Sequence, residues 1–230
     1  MELIVDLGNV YIYNPYFGFR MKSVCFLNEN NQAYIIASDK VLNFKGELVK
    51  DLNIIKGGRI DSIDVYYDKK YNKAYIIYIN ECFIVSIDYN ENKLYKRYAE
   101  RSVNFCGGFF IIKEKDEITE IIESCYDGYI KIWDFHSGNL LSKIQILKLR
   151  GELQGSHSQV GQLCIWEDDY IFVCCGSLIK LVDLKTGKIL KKLDNKNGNV
   201  RNLIQFIHPK YGKCLLSRDD SNQSIKLWTI

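Results

Sequence analysis

Proline is nearly absent from this chain, two residues in 230, and alanine occurs four times. Scarce proline suits paired strands, where each proline would remove a ladder donor. No pair of the eight cysteines has C-x-x-C spacing. They sit at 25, 82, 106, 125, 164, 174, 175 and 214, nearly all in apolar stretches, which reads as buried thiols in a reducing compartment. There is no uncharged apolar run approaching 18 residues, so no membrane-spanning helix is predicted. The start, Met1–Glu2–Leu3–Ile4–Val5–Asp6, lacks the basic and apolar regions of a signal peptide. A cytoplasmic location is expected, with the nucleus as the alternative.

Charge of one sign is also lacking. With 31 basic and 28 acidic residues the net charge is +3, too mild to argue for nucleic acid or a membrane surface. Only three histidines occur, His136, His157 and His208, with no H-x-H or H-E-x-x-H context. No metal site, cofactor or small-molecule substrate is therefore expected. A nucleophile elbow is missing too, so no catalytic residues are assigned. Gly57–Gly58 and Gly107–Gly108 read as turns rather than phosphate cradles.

What the chain has is hydrophobic content, 47%, against 26% charged residues, which excludes a disordered chain. It also has a repeat. The clearest copy runs Ser124–Cys125–Tyr126–Asp127–Gly128–Tyr129–Ile130–Lys131–Ile132–Trp133–Asp134, followed by a turn with Ser137–Gly138. Others are Leu178–Ile179–Lys180–Leu181–Val182–Asp183, Ser224–Ile225–Lys226–Leu227–Trp228–Thr229, and a weaker one ending at Asp88. Asp88 and Asp134 are 46 residues apart, Asp134 and Asp183 are 49, and Val182 and Trp228 are 46. A fixed period in this range marks a propeller or solenoid.

Each period reads as four strands. In the third they are 108–113, 120–125, 129–134 and 140–146; in the fourth, 161–166, 170–175, 178–183 and 189–193. Stretches such as Tyr170–Ile171–Phe172–Val173–Cys174–Cys175 are apolar throughout, as in strands buried on both faces. No segment keeps helical apolar spacing over three turns. Such a unit must stack between like neighbours.

At Asp127–Gly128–Tyr129–Ile130–Lys131–Ile132–Trp133–Asp134 the chain resembles the WD-repeat family of β-propellers. Ser224–Ile225–Lys226–Leu227–Trp228–Thr229 and Gly155–Ser156–His157–Ser158 support the resemblance. It implies an all-β propeller of about five four-stranded antiparallel blades, closed or left as an open arc. The expected single domain has blades at 19–53, 57–98, 104–146, 160–193 and 199–230, with 1–18 as a closing strand or blade remnant. In that family a strand Trp, a strand Ser or Thr, a turn Asp and a loop His form a locking network. Here the resemblance offers Ser124, Asp127 and Trp133 in the third repeat and His157 in the fourth. Asp134, Asp183 and Trp228 are further blade residues. The fourth repeat departs from the pattern, with Val182 in the Trp position and Gly176–Ser177 in place of the Asp turn.

By the same resemblance the expected role is a non-enzymatic scaffold mediating protein–protein interactions in a larger assembly. Two alternatives stand beside it. One is an RNA-associated component of a ribonucleoprotein assembly, drawing on the basic cluster Lys93, Lys96, Arg97 and Arg101 with Tyr95 and Tyr98. The other is a ligand-binding or enzymatic propeller with a site in its central channel.

Overall fold

A computed structural model of the chain describes residues 24–29, 32–37, 40–43, 45–52, 60–80, 83–99, 109–115, 118–125, 127–147, 160–196, 198–219 and 224–230. Among them the regular elements are all strands, which form five antiparallel sheets. The chain divides into two compact units, Met1–Ser102 and Val103–Ile230.

Unit 1 holds two sheets. The first is β1 (Val24–Glu29), β2 (Gln32–Ala37), β3 (Lys40–Leu42) and β4 (Leu48–Asp51), in chain order. The second is β5 (Ile60–Asp68), β6 (Lys73–Asn80), β7 (Phe83–Asp88) and β8 (Lys93–Tyr98). Ile36, Val41 and Leu52 of the first pack with Ile63, Ile76, Val85 and Ile87 of the second.

Unit 2 holds three. They are β9 (Phe110–Lys115), β10 (Ile118–Ser124), β11 (Tyr129–Asp134) and β12 (Leu140–Gln145); then β13 (Val160–Glu167), β14 (Tyr170–Cys175), β15 (Leu178–Asp183) and β16 (Ile189–Asp194); then β17 (Val200–His208), β18 (Gly212–Asp219) and β19 (Ile225–Thr229). The last sheet has three strands. Strands β11, β14 and β15 have the bounds that the turn residues predict, and β9, β10, β12, β13 and β16 differ by one or two residues at an end.

The stacking explains the apolar strands. One face of the third sheet (Ile122, Ile130, Ile132, Ile144) packs on one face of the fourth (Val160, Leu163, Ile171, Val173, Val182). The opposite face of the fourth (Phe172, Cys174, Ile179, Leu193) packs on the fifth (Val200, Leu203, Leu215, with Trp228). A sheet covered on both sides has no wet face, so alternation fails in β14, five of whose six residues are buried.

After each of the first four third strands one side chain ties the turn. Asn43 Oδ1 accepts from the Lys45 and Glu47 amides, and Asp88 Oδ1 from Asn90 and Glu91. Asp134 Oδ1 accepts from Ser137, and Asp183 Oδ1 from Lys185 and Thr186. Short acceptor side chains favour such turns because they replace a backbone partner locally. Gly138 and Gly187 complete two of these turns at φ 76° and 69°.

Each fourth strand is bulged at one register. The pairing slips between Val41 and Leu42, between Ser86 and Ile87, between Ile132 and Trp133, and between Leu181 and Val182. The extra residues are Val49, Tyr95, Leu141 and Leu190. A bulge twists an outer strand and spoils it as a template for pairing with another chain. The β18–β19 pair has no such slip.

Candidate functional site

Trp133 is buried in β11, and its Nε1–H donates to Glu123 Oε2 at 2.9 Å. The Ser124 hydroxyl instead bonds the backbone of Phe109, as acceptor at 3.0 Å and donor at 3.2 Å. Register gives the reason. Trp133 is the Cα partner of Ile121, and Glu123 lies two residues on, on the same face; Ser124 is opposite Ile130 and faces the other way. The implied Ser124–Trp133 bond is thus replaced by one to Glu123.

The fifth sheet restores a hydroxyl. Trp228 is opposite Leu215, and its Nε1–H donates to Ser217 Oγ, two residues on, at 2.8 Å. Ser217 and Glu123 thus share one register, occupied by Val173 in the fourth sheet, where Val182 replaces the tryptophan. Sequence reading missed both acceptors; the signal was the residue two beyond the strand partner of each tryptophan. His157 lies outside the described residues.

Asp127 closes the β10–β11 turn by accepting from the Tyr129 amide at 3.2 Å, and its Oδ2 is 3.8 Å from Lys131 Nζ. Gly128, at φ 87°, is required there: a Cβ would meet the Leu147 carbonyl oxygen at 2.9 Å. Glu123 is 2% exposed and Lys131 is 1% exposed. Burial pushes the Glu123 carboxyl up, against the opposing pull of the Trp133 N–H and the Lys131 charge. The structure therefore brings Asp127 and Trp133 to one buried polar cluster, with Glu123 and Lys131 as members the sequence did not announce.

Asp134 and Asp183 stand apart from this cluster, in their turns. The Thr186 hydroxyl, 2.7 Å from Asp183 Oδ2, leads the groups that hold the Asp183 carboxyl below its usual range, with the two turn amides behind it. A carboxyl lowered on folding adds stability above its unfolded value and loses it as pH falls through the folded one. Asp183→Asn should therefore melt below the parent at pH 7, and the gap should close below about pH 4. Melting temperatures at pH 7 and pH 3 check this.

A second feature is on the surface. At the β17–β18 hairpin, His208 Nδ1 accepts from the Lys210 and Tyr211 amides at 3.1 and 3.2 Å. His208 thus ends β17. Its ring stacks on Tyr211 at 4.7 Å and meets Phe206 edge-on at 6.2 Å. Lys210 lies over Tyr211 at 5.3 Å and Lys213 over Trp166 at 4.5 Å. Ile207 is 78% exposed and Tyr211 51% exposed. The result is an apolar and aromatic tip, preset by backbone bonds and flanked by Lys210, while Lys213 donates to the Trp166 carbonyl and pairs with Glu167 at 3.7 Å.

Among the described residues no group of three or more His, Cys, Asp or Glu is placed to hold a metal ion. The cysteines described there, Cys125, Cys164, Cys174, Cys175 and Cys214, are free thiols. Burial pushes the Cys164 and Cys174 thiols up. No described helix is long and apolar enough to cross a membrane.

No family model matches the sequence, and no curated protein matches it either. Among solved structures, the WD40 β-propeller domain of Doa1 matches over 92% of this chain and 69% of its own, with a TM-score of 0.56 and 18% identity. The chain has a WD-repeat propeller fold. Its sheets are the blades, its third strands carry the Trp and Asp positions of the repeat, and its outer strands carry the bulges.

Proposed function

We propose that this propeller is a non-enzymatic scaffold that docks a partner protein in a larger assembly, in the cytoplasm. The observation that carries the reading is the β17–β18 tip. Aromatic and aliphatic anchors held in place before binding lose little entropy on association, and tyrosine is enriched among the residues that dominate binding energy. Lys210 over Tyr211, with Ile207 exposed on the same hairpin, fits a partner with an apolar pocket bordered by an acidic side chain.

The RNA reading draws less support. Lys93 and Lys96 lie on one face of β8 and Arg97 on the other, because the bulge at Tyr95 shifts the alternation of the strand. Arg97 covers Phe83 at 3.4 Å, and Lys93 is 3.8 Å from Glu91. Arg101 lies outside the described residues.

The test is a quantitative affinity purification of the full chain and the double variant Ile207→Asp, Tyr211→Ala. Specific partners enriched with the parent should fall at least tenfold with the variant, at unchanged melting temperature. Equal recovery of the same partners by both proteins would overturn the assignment of the tip. Turnover of a small molecule by a chain that enriches no partner would overturn the scaffold itself.

A further inference from the structure

The third strands of the last three blades each carry a lysine at one register. Lys131 is the Cα partner of Glu123, Lys180 of Val173 and Lys226 of Ser217. Lys180 is 2% exposed, and Lys226 is half-buried. Lys180 Nζ donates to the Ile146 carbonyl at 2.9 Å, and Lys226 Nζ to the Asn195 carbonyl at 2.5 Å.

Those two carbonyls are equivalent as well. Ile144 is the Cα partner of Ile130, and Leu193 of Ile179, so Ile146 and Asn195 each lie two residues beyond a matched outer-strand position. Each acceptor sits just past the end of its outer strand, β12 or β16. Each lysine thus leaves its own blade and bonds the chain where the preceding blade's outer strand ends. A carbonyl beyond the last ladder pair lacks the strand partner it would otherwise have, and an ammonium is a strong donor to it.

We propose that Lys180 and Lys226 are latches between blades, each holding the outer strand of the preceding blade in place. The latch has a direction. Strand β12 cannot peel from β11 without breaking its bond to the next blade, and β16 is held likewise. Outer strands are the least covered elements of the sheets, so this is where opening would otherwise begin.

Hydrogen exchange on the full chain tests it, because a latch and a merely well-packed side chain differ in where protection is lost. Lys180→Met keeps most of the stem and removes the donor. Exchange should rise by about tenfold at the end of the third blade, including the Ile146 and Leu147 amides that donate to the Gly128 carbonyl. Strands β14 and β15, on either side of the substitution, should rise less. Lys226→Met should act in the same way on the end of β16 and on the Asn195 amide, which donates to the Ser177 carbonyl. Because Lys226 is only half-buried, this second variant keeps the test open if Lys180→Met fails to fold. Unchanged protection at Asn195 in Lys226→Met, or loss confined to the substituted blade in either variant, would overturn the proposal.

Discussion

Trp133→Ala should cost about 3–5 kcal/mol, the range for removing a buried aromatic side chain. The indole is 3% exposed, and its N–H is the donor to Glu123, itself buried. The truncation therefore leaves a cavity and strips a buried carboxyl of a partner. Equilibrium urea unfolding reads the change, and a value under 1 kcal/mol would mean that the indole is not where the register puts it. A companion measurement isolates the acid. A carboxyl raised on folding gives stability that is full below its unfolded value and is lost as pH rises through the folded one. Glu123→Gln should remove that slope and keep an acceptor for the indole. Parent and variant should diverge as pH climbs from about 4.

Gly198→Ala should rank with it, at about 2–5 kcal/mol, from backbone strain plus a displaced buried carboxyl. Gly198 has φ 123°, a conformation that side chains rarely adopt, and a Cβ there would sit 2.5 Å from Asp219 Oδ2. Asp219 is buried and is bonded by Asn195 Nδ2, which also donates to the Gly198 carbonyl at 3.1 Å. The carboxylate cannot retreat without giving up that bond. Gly212→Ala is the control, because Gly212 is also left-handed, at φ 70°, but has nothing within 4 Å of its Cβ position. It should cost about 1–2 kcal/mol. Equal losses in the two variants would remove Asp219 from the explanation.

Turn chemistry explains why so much of the fold was legible. Asp127–Gly128, Ser137–Gly138 and Thr186–Gly187 bracket strands whose bounds can be read directly, and the 46-residue spacing of Asp88 and Asp134 gives the repeat. What sequence could not supply was face. Ser124 and Glu123 are neighbours, and only strand pairing shows that Glu123 shares the face of Trp133. A serine next to an expected network was the natural choice and was off by one residue. The same ambiguity hid the lysines. In a sheet with one wet face, Lys131 and Lys180 would alternate outward; here both are buried, Lys180 in a sheet packed on both faces. The bulges at Val49, Tyr95, Leu141 and Leu190 left no signal either, because a bulge is a property of two strands together.

The hairpin at Phe206–Tyr211 was missed for a different reason. His208 before Pro209 reads as a loop histidine of no particular role. Its two backbone bonds and its stacking on Tyr211 depend on the exact turn, which spacing does not reveal.

The buried cluster depends on the register of β10 against β11, since a slip of one residue would turn every side chain of the strand to the opposite face. An experimental structure sharp enough to place the Trp133 indole tests it most directly. The prediction is an Nε1–H donated to Glu123, with Lys131 buried beside it and Ser124 bonded to the Phe109 backbone. An indole bonded to Ser124, with Glu123 and Lys131 in solvent, would contradict it.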